Sequence, residues 1–230
     1  MTKKILCVIP ARGGSKRLPR KNVLDFRGKP MLLHTIEAAQ QSGCFDRIVV
    51  SSDDEEILAV ARQAGVVAAV RSAELSGDAA RVVSVMFDLL DSERGEGRDY
   101  DILCCLYPAA PLRGAEDIQA VVSLVAQGQG DFALAVTDYG LPPHQALRLD
   151  GAGVLAPMFP DLVNMRDEEI GRLVVDNGST YAATVSAFRE HATFYGPRLH
   201  GHVMPRARSV DINNADDLDL VDYYFGRLRA

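Results

Sequence analysis

No apolar run in this 230-residue chain approaches the ~18–20 residues of a membrane-spanning helix, so no membrane association is expected. Lys3 and Lys4 precede only a short apolar stretch that Pro10 interrupts. That is not the pattern of a signal peptide, and the expectation is a cytoplasmic protein. The four cysteines include no Cys-x-x-Cys pair, and Cys7, Cys104 and Cys105 lie in apolar runs, as buried core thiols do. His144, His200 and His202 are too scattered for a metal triad. There is no internal repeat and no low-complexity tract. Two phosphate fingerprints also fail. Walker A needs Gly-x-x-x-x-Gly-Lys-Ser/Thr, whereas Gly13-Gly14-Ser15-Lys16 has no second glycine before the lysine, and Gly-x-Gly-x-x-Gly is missing, which argues against a nicotinamide dehydrogenase.

What the chain does have is positive charge gathered in one place. Residues 1–30 carry nine Lys/Arg against the single acid Asp25, while the remainder carries 16 against 30, for a net charge of −6. Such a balance excludes a general nucleic-acid partner, which needs a broad basic face. The cations concentrate in Pro10–Asn22, a loop in which Gly13 and Gly14 let backbone N–H groups approach a ligand amid Arg12, Lys16, Arg17, Arg20 and Lys21. A small polyanion is the expected occupant, because five like charges repel without one.

An apolar content of 47% gives ample core for one main domain. Strands are expected at 4–9, 47–51, 66–70, 101–106 and 132–136. Helices are expected at 31–42, 55–64, around 82–90, and at 116–126. That alternation predicts a mainly parallel sheet with right-handed crossovers. The acid-rich stretch 91–99 reads as a solvated turn. After Val136 the rhythm breaks: Asp150-Gly151-Ala152-Gly153 signals a hairpin, and 157–176 has no clear period. This region reads as an insertion serving as a lid, a dimer contact, or both. Strands at 180–185, 202–204 and 209–212 and a helix at 215–228 complete the chain.

Ile9-Pro10-Ala11-Arg12-Gly13-Gly14-Ser15-Lys16-Arg17-Leu18-Pro19-Arg20-Lys21-Asn22, followed by Gly28-Lys29-Pro30, resembles the signature of the acylneuraminate cytidylyltransferases. Ser51–Ile57, Arg71–Ser76 and Asp211–Leu218 agree in family order, and Tyr107, where sialic-acid enzymes usually carry Gln, is most similar to the pseudaminic acid branch. The resemblance implies a three-layer α/β/α, mainly parallel sheet of the nucleotide-diphospho-sugar transferase (Rossmann-like, GT-A-like) type. It implies one domain over 1–230 with an insertion, dimerisation and lid region at about 140–176, and a homodimer. The implied reaction joins CTP to a nine-carbon 2-keto sugar acid with release of pyrophosphate, assisted by Mg²⁺ or alternatively Mn²⁺.

On this resemblance Ala11, Arg12, Gly13, Gly14, Ser15, Lys16, Asn22 and Arg71 hold the nucleotide, and Arg12, Lys16, Lys21 and Asp211 carry the chemistry. Asp211 and Asn213 are the expected metal ligands, alternate residues near the end of a strand. Asn213 stands where family members usually carry Asp, and Asn213 or Asn214 could instead cap the last helix. Tyr107, Gln145, Arg166, Asn177 and Tyr181 are implied for the sugar, with Arg166 suited to its carboxylate. Departures lie at Ala79-Ala80-Arg81-Val82, which replaces a Ser/Thr-containing stretch at the base, and at Ala109. The alternatives are a nucleotidyltransferase for another sugar acid such as Kdo, whose Gln-Gly-Asp strand end is absent at Leu106-Tyr107-Pro108, and a nucleotide-binding protein without catalysis.

Overall fold

The computed structural model describes residues 3–77 and 80–228. Strand β1 (Ile5–Pro10) is almost wholly buried, and its alternating side chains divide between two faces: Cys7 and Ile9 on one, Leu6 and Val8 on the other. The small hairpin β2 (Asp25–Phe26) and β3 (Lys29–Pro30) then leads into α1 (Met31–Ser42), which ends at Gly43 with φ 62°, a left-handed cap suited to glycine. The alternation continues through β4 (Arg47–Ser52), α2 (Glu55–Gln63), β5 (Val67–Val70), α3 (Val82–Gly95), β6 (Ile102–Leu106), α4 (Ala115–Ala126) and β7 (Phe132–Asp138). The remainder comprises β8 (Leu147–Leu149), β9 (Leu155–Pro157), α5 (Asp167–Ile170), β10 (Val174–Thr184), α6 (Val185–His191), β11 (Leu199–Val203) and α7 (Ala215–Leu228).

The main sheet has the order β11-β7-β10-β6-β1-β4-β5. All its pairings are parallel except the two that β10 makes with β6 and β7. The chain builds outward from β1 through β4 and β5, then returns to place β6 on β1's other side. A crevice opens at such a reversal, beyond the carboxyl ends of β1 and β6. One face packs Leu32, Ile36, Ile57, Ile118 and Val122 from α1, α2 and α4. The other packs Met86, Leu89 and Phe188 from α3 and α6, and each fully buried side chain of this size contributes roughly 1.5–3 kcal/mol. A third cluster joins Val221 of α7 to Phe26, Met31 and Ile212. This is the expected three-layer arrangement.

Several expectations are corrected. The acid-rich stretch 91–99 is not a solvated turn in its first half, because α3 runs on to Gly95 and turns Glu93 inward. Glu93 accepts hydrogen bonds from Arg47 (3.0 Å), Arg98 and Tyr100 (2.8 Å). Residues 209–212 form no strand: they follow a short 3-10 turn at Arg206–Arg208, so the segment carrying Asp211 is irregular. β10 begins at Val174, earlier than the expected 180, and Val185 already opens α6. Ala79 lies outside the described residues.

Burial opposes ionisation of Glu93, yet the hydrogen bonds from Arg98 and Tyr100 and the charge of Arg47 outweigh it and hold its carboxyl below the ordinary 4.5. A depressed folded-state pKa adds stability above pH 4.5 that is lost as pH falls through the folded value. Glu93→Gln should therefore lower the unfolding free energy by about 2 kcal/mol at neutral pH. In urea titrations the gap to the parent chain should narrow below pH 4.5.

Candidate active site

The loop after β1 is held at both ends. Ala11, fully buried, donates its N–H to the Ser51 carbonyl of β4 (3.0 Å), and the Asn22 amide donates to the Arg12 carbonyl (2.9 Å). Between these points, Gly13 donates its N–H to Asp53 Oδ1 (3.0 Å). A Cβ on Gly13 would stand 2.6 Å from Asp54 Oδ2, so the close approach requires glycine. Asp54 also caps α2 through the N–H groups of Glu56 (3.0 Å) and Ile57 (3.2 Å), as a short acceptor before a helix does. Arg20, in a left-handed conformation (φ 58°), pairs with Asp54 and Glu56.

The far end of the chain closes the other side. The Lys21 ammonium donates to the Ile212 carbonyl, Arg17 donates to Asn213 Oδ1 (2.7 Å), and Asn213 Nδ2 donates to Asp211 Oδ2 (2.9 Å). Burial pushes the Asp211 carboxyl up and the Lys21 ammonium down, while the charge of each favours the ionised form of the other. Arg71, also buried, donates to the Ser51 hydroxyl and carbonyl, and its pKa is lowered by burial against the charge of Asp53. At the end of β6 the buried Arg113 guanidinium bonds the carbonyls of Ser179 (2.7 Å) and Tyr107 (3.3 Å) and the Thr35 hydroxyl (2.8 Å). Burial pushes Arg113 down to about 10.

Together these elements enclose a cavity of about 540 Å³ at the sheet reversal. Of the residues expected from sequence, Arg12, Ser15, Lys16, Lys21, Asn22, Arg71, Tyr107, Asp211 and Asn213 line it. Ala11, Gly13 and Gly14 lie in the loop that carries the cations but are not in its wall. Ala80 and Val82 add an apolar side with Leu75 and Val85. Val85 shows in the sequence only as a helix-periodic apolar residue, a pattern shared by core and cavity positions alike. Asn214, not Asn213, caps α7, its Oδ1 accepting the Asp217 N–H (3.0 Å).

The expected sugar contacts fall in different places. Tyr107 lines the cavity, and Tyr181 packs behind it with ring centroids 5.3 Å apart. Asn177 is buried away from it, donating to Met204 Sδ and Ser209 Oγ and accepting from the Ser179 hydroxyl (2.7 Å). Gln145 and Arg166 are exposed in the 140–176 region and do not line this cavity.

A family profile for cytidylyltransferases matches residues 6–149, the part that runs from β1 through the cavity's loops into the hairpin. The chain belongs to the cytidylyltransferase family. It is 36% identical over 217 residues to the pseudaminic acid cytidylyltransferase of Campylobacter jejuni, covering 94% of each chain. Over 227 residues it is 36% identical to the CMP-N,N'-diacetyllegionaminic acid synthase of Legionella pneumophila, covering 95% of each. Among solved structures, a CMP:2-keto-3-deoxy-manno-octonic acid synthetase complexed with CTP superimposes with a TM-score of 0.71, covering 98% of this chain and 99% of that one. At 18% identity that likeness is one of fold. The family and these relatives make the chain a nucleotidyltransferase. No helix among the described residues is long and apolar enough to cross a membrane.

The two loop glycines separate packing from ligand contact. Gly13→Ala should lower both thermal stability and CTP affinity, because its Cβ meets Asp54. Gly14 has no atom of the described residues within 4 Å of a Cβ, so Gly14→Ala should leave the melting temperature unchanged and weaken only CTP binding, as read by calorimetric titration.

Proposed function

We propose that this cytidylyltransferase activates a nonulosonic acid of the pseudaminic type, a nine-carbon 2-keto sugar acid, giving CMP-sugar and pyrophosphate from CTP. The observation that carries the reading is the convergence of Arg12, Lys16 and Lys21 with Asp211, from opposite ends of the chain, on one cavity. Similarity over nearly the whole length to a pseudaminic acid cytidylyltransferase supports the substrate class.

In the reaction the anomeric hydroxyl oxygen of the sugar acid attacks the α-phosphorus, its proton is lost, and the bond from that phosphorus to the β-phosphate bridging oxygen breaks. Such transfer depends on positioning and on stabilising charge on the phosphates. Arg12, Ser15 and Lys16 are the groups to cradle the triphosphate. Lys21, fixed by Ile212, offsets charge on the reacting phosphate. Asn22 ties the loop's two ends and Arg71 faces the nucleotide side.

A divalent cation fits this donor set. Asp211 is the carboxylate among the residues lining the cavity and is the group to hold Mg²⁺ or Mn²⁺, with phosphate oxygens and waters completing the shell. The bound ion would neutralise developing phosphate charge. Asn213 turns its Nδ2 to Asp211 and its Oδ1 to Arg17. It therefore orients the carboxylate as arranged, and would ligate only after an amide reorientation.

Pyrophosphate release with each nucleoside triphosphate and a panel of nonulosonic acids tests the reading. CTP with pseudaminic acid should give the highest kcat/KM, EDTA should abolish turnover, and Lys21→Ala should reduce kcat far more than CTP binding. Absence of turnover with every acid while CTP binds would overturn it.

A homodimer built on the 140–176 region is part of the proposal. Leu141, Leu147, Leu149, Val154, Leu155, Met158 and Phe159 are all exposed there, a concentration of apolar surface that a second copy would cover, bringing Gln145 and Arg166 toward its cavity. Leu149→Glu should convert a dimer to a monomer in light scattering; a monomeric parent chain would overturn the assembly.

A further inference from the structure

The side-chain amide of Asn213 stands between two cavity groups of opposite hydrogen-bonding character. Arg17 donates to its Oδ1 (2.7 Å), and its Nδ2 donates to Asp211 Oδ2 (2.9 Å). A guanidinium can only donate and an ionised carboxylate can only accept, so the two neighbours together fix which end of the amide faces which. All three residues line the cavity, and Arg17 reaches Asn213 from the opposite end of the chain.

The backbone beneath the amide is pinned. Ile212 donates its N–H to the Ala109 carbonyl (3.0 Å), and its own carbonyl accepts the Lys21 ammonium. Asp217 Oδ2 then accepts the N–H groups of Asn213 (2.8 Å) and Asn214 (3.1 Å). The motion left to Asn213 is rotation of its side chain, and half a turn about the last bond exchanges Oδ1 and Nδ2. While Arg17 is in place that turn is blocked, because it would set one donor against another. A cation held by Asp211 makes the opposite demand: an amide oxygen can ligate it, whereas an amide N–H repels it. Arg17 is exposed and is held here by a neutral amide. A phosphate adds charge and a second hydrogen bond to the guanidinium fork, and is the stronger partner.

We infer that Arg17 is a positioning residue that acts through Asn213: the triphosphate draws the guanidinium off Asn213 Oδ1, and the released amide turns that oxygen toward the cation at Asp211. This rests on the proposed cytidylyltransferase reading. Before nucleotide arrives, the Arg17–Asn213 bond keeps Asn213 a donor to Asp211 and leaves a single carboxylate for the cation. Once it arrives, the chain supplies a second oxygen ligand. Nucleotide binding and completion of the cation site are thereby one event, and the two residues that couple them lie 196 positions apart.

The test is Mn²⁺ binding to the full chain without nucleotide, read from the electron paramagnetic resonance signal of the free ion. Arg17→Met should tighten Mn²⁺ binding about tenfold, the scale on which a partner bonded to a metal ligand acts. Loss of a nearby positive charge also favours Mn²⁺, so the same substitution is made in the Asn213→Ala background, where the gain should be much smaller. An equal gain in both backgrounds would be an effect of charge alone and would overturn the inference, as would no gain in either. In EDTA, a CTP analogue with a methylene bridge between the α- and β-phosphorus should bind Arg17→Met severalfold more weakly than the parent by calorimetric titration. Unchanged affinity would show that Arg17 does not pass to the triphosphate, and would overturn the inference too. Failure of the analogue to bind the parent chain at all would instead overturn the underlying function.

Discussion

Five cations within Pro10–Asn22 repel one another, and the chain keeps them together by supplying oxygen atoms from two distant segments. On one side stand Asp53, Asp54 and Glu56 at the start of α2, which take the Gly13 N–H and the Arg20 guanidinium. On the other stand the Ile212 carbonyl and Asn213, which take Lys21 and Arg17. The loop's conformation is thus fixed from both sides. Arg20 is engaged by acids and Arg17 by the Asn213 amide oxygen, while Arg12, Lys16, Arg17 and Lys21 line the cavity.

The cavity's two ends differ in the charge they accept. Basic side chains at the loop suit phosphates, whereas the other end is walled by Tyr107, with Tyr181 packed behind it and the Tyr181 hydroxyl donating to Asp176. Asp211 lies between these regimes, pushed toward its neutral form by burial and toward ionisation by Lys21. A cation bound there would join the two halves of the reaction without further protein carboxylates. Buried Arg113 supports this geometry from beneath by tying β6, β10 and α1 through Tyr107, Ser179 and Thr35.

Much of the molecule was legible in the residues. The continuous apolar run Ile5–Ile9 and the helical spacing of Met31–Ser42 are local signals, and those elements lie where expected. The cationic loop was visible as composition and as family signature. Less legible were elements whose identity depends on partners. Glu93 reads as solvated until Arg47, Arg98 and Tyr100 surround it, and Ser209–Ile212 reads as a strand although no neighbouring strand accepts it. Asn177 matched a pattern for the sugar pocket, yet a bulge in β10 turns it into the core and leaves Asp176 beside the tyrosines.

Sequence alone determined the sheet-and-helix alternation, the cationic loop and the family, because periodicity, glycine spacing and charge clustering are properties of neighbouring residues. Tertiary structure decided which distant groups meet: Lys21 with Ile212, Arg17 with Asn213, and Asp176 with Tyr195. The reason is that hydrogen bonds and ion pairs across tens to hundreds of residues are set by strand order and by a register slip, and neither leaves a periodic trace in the chain.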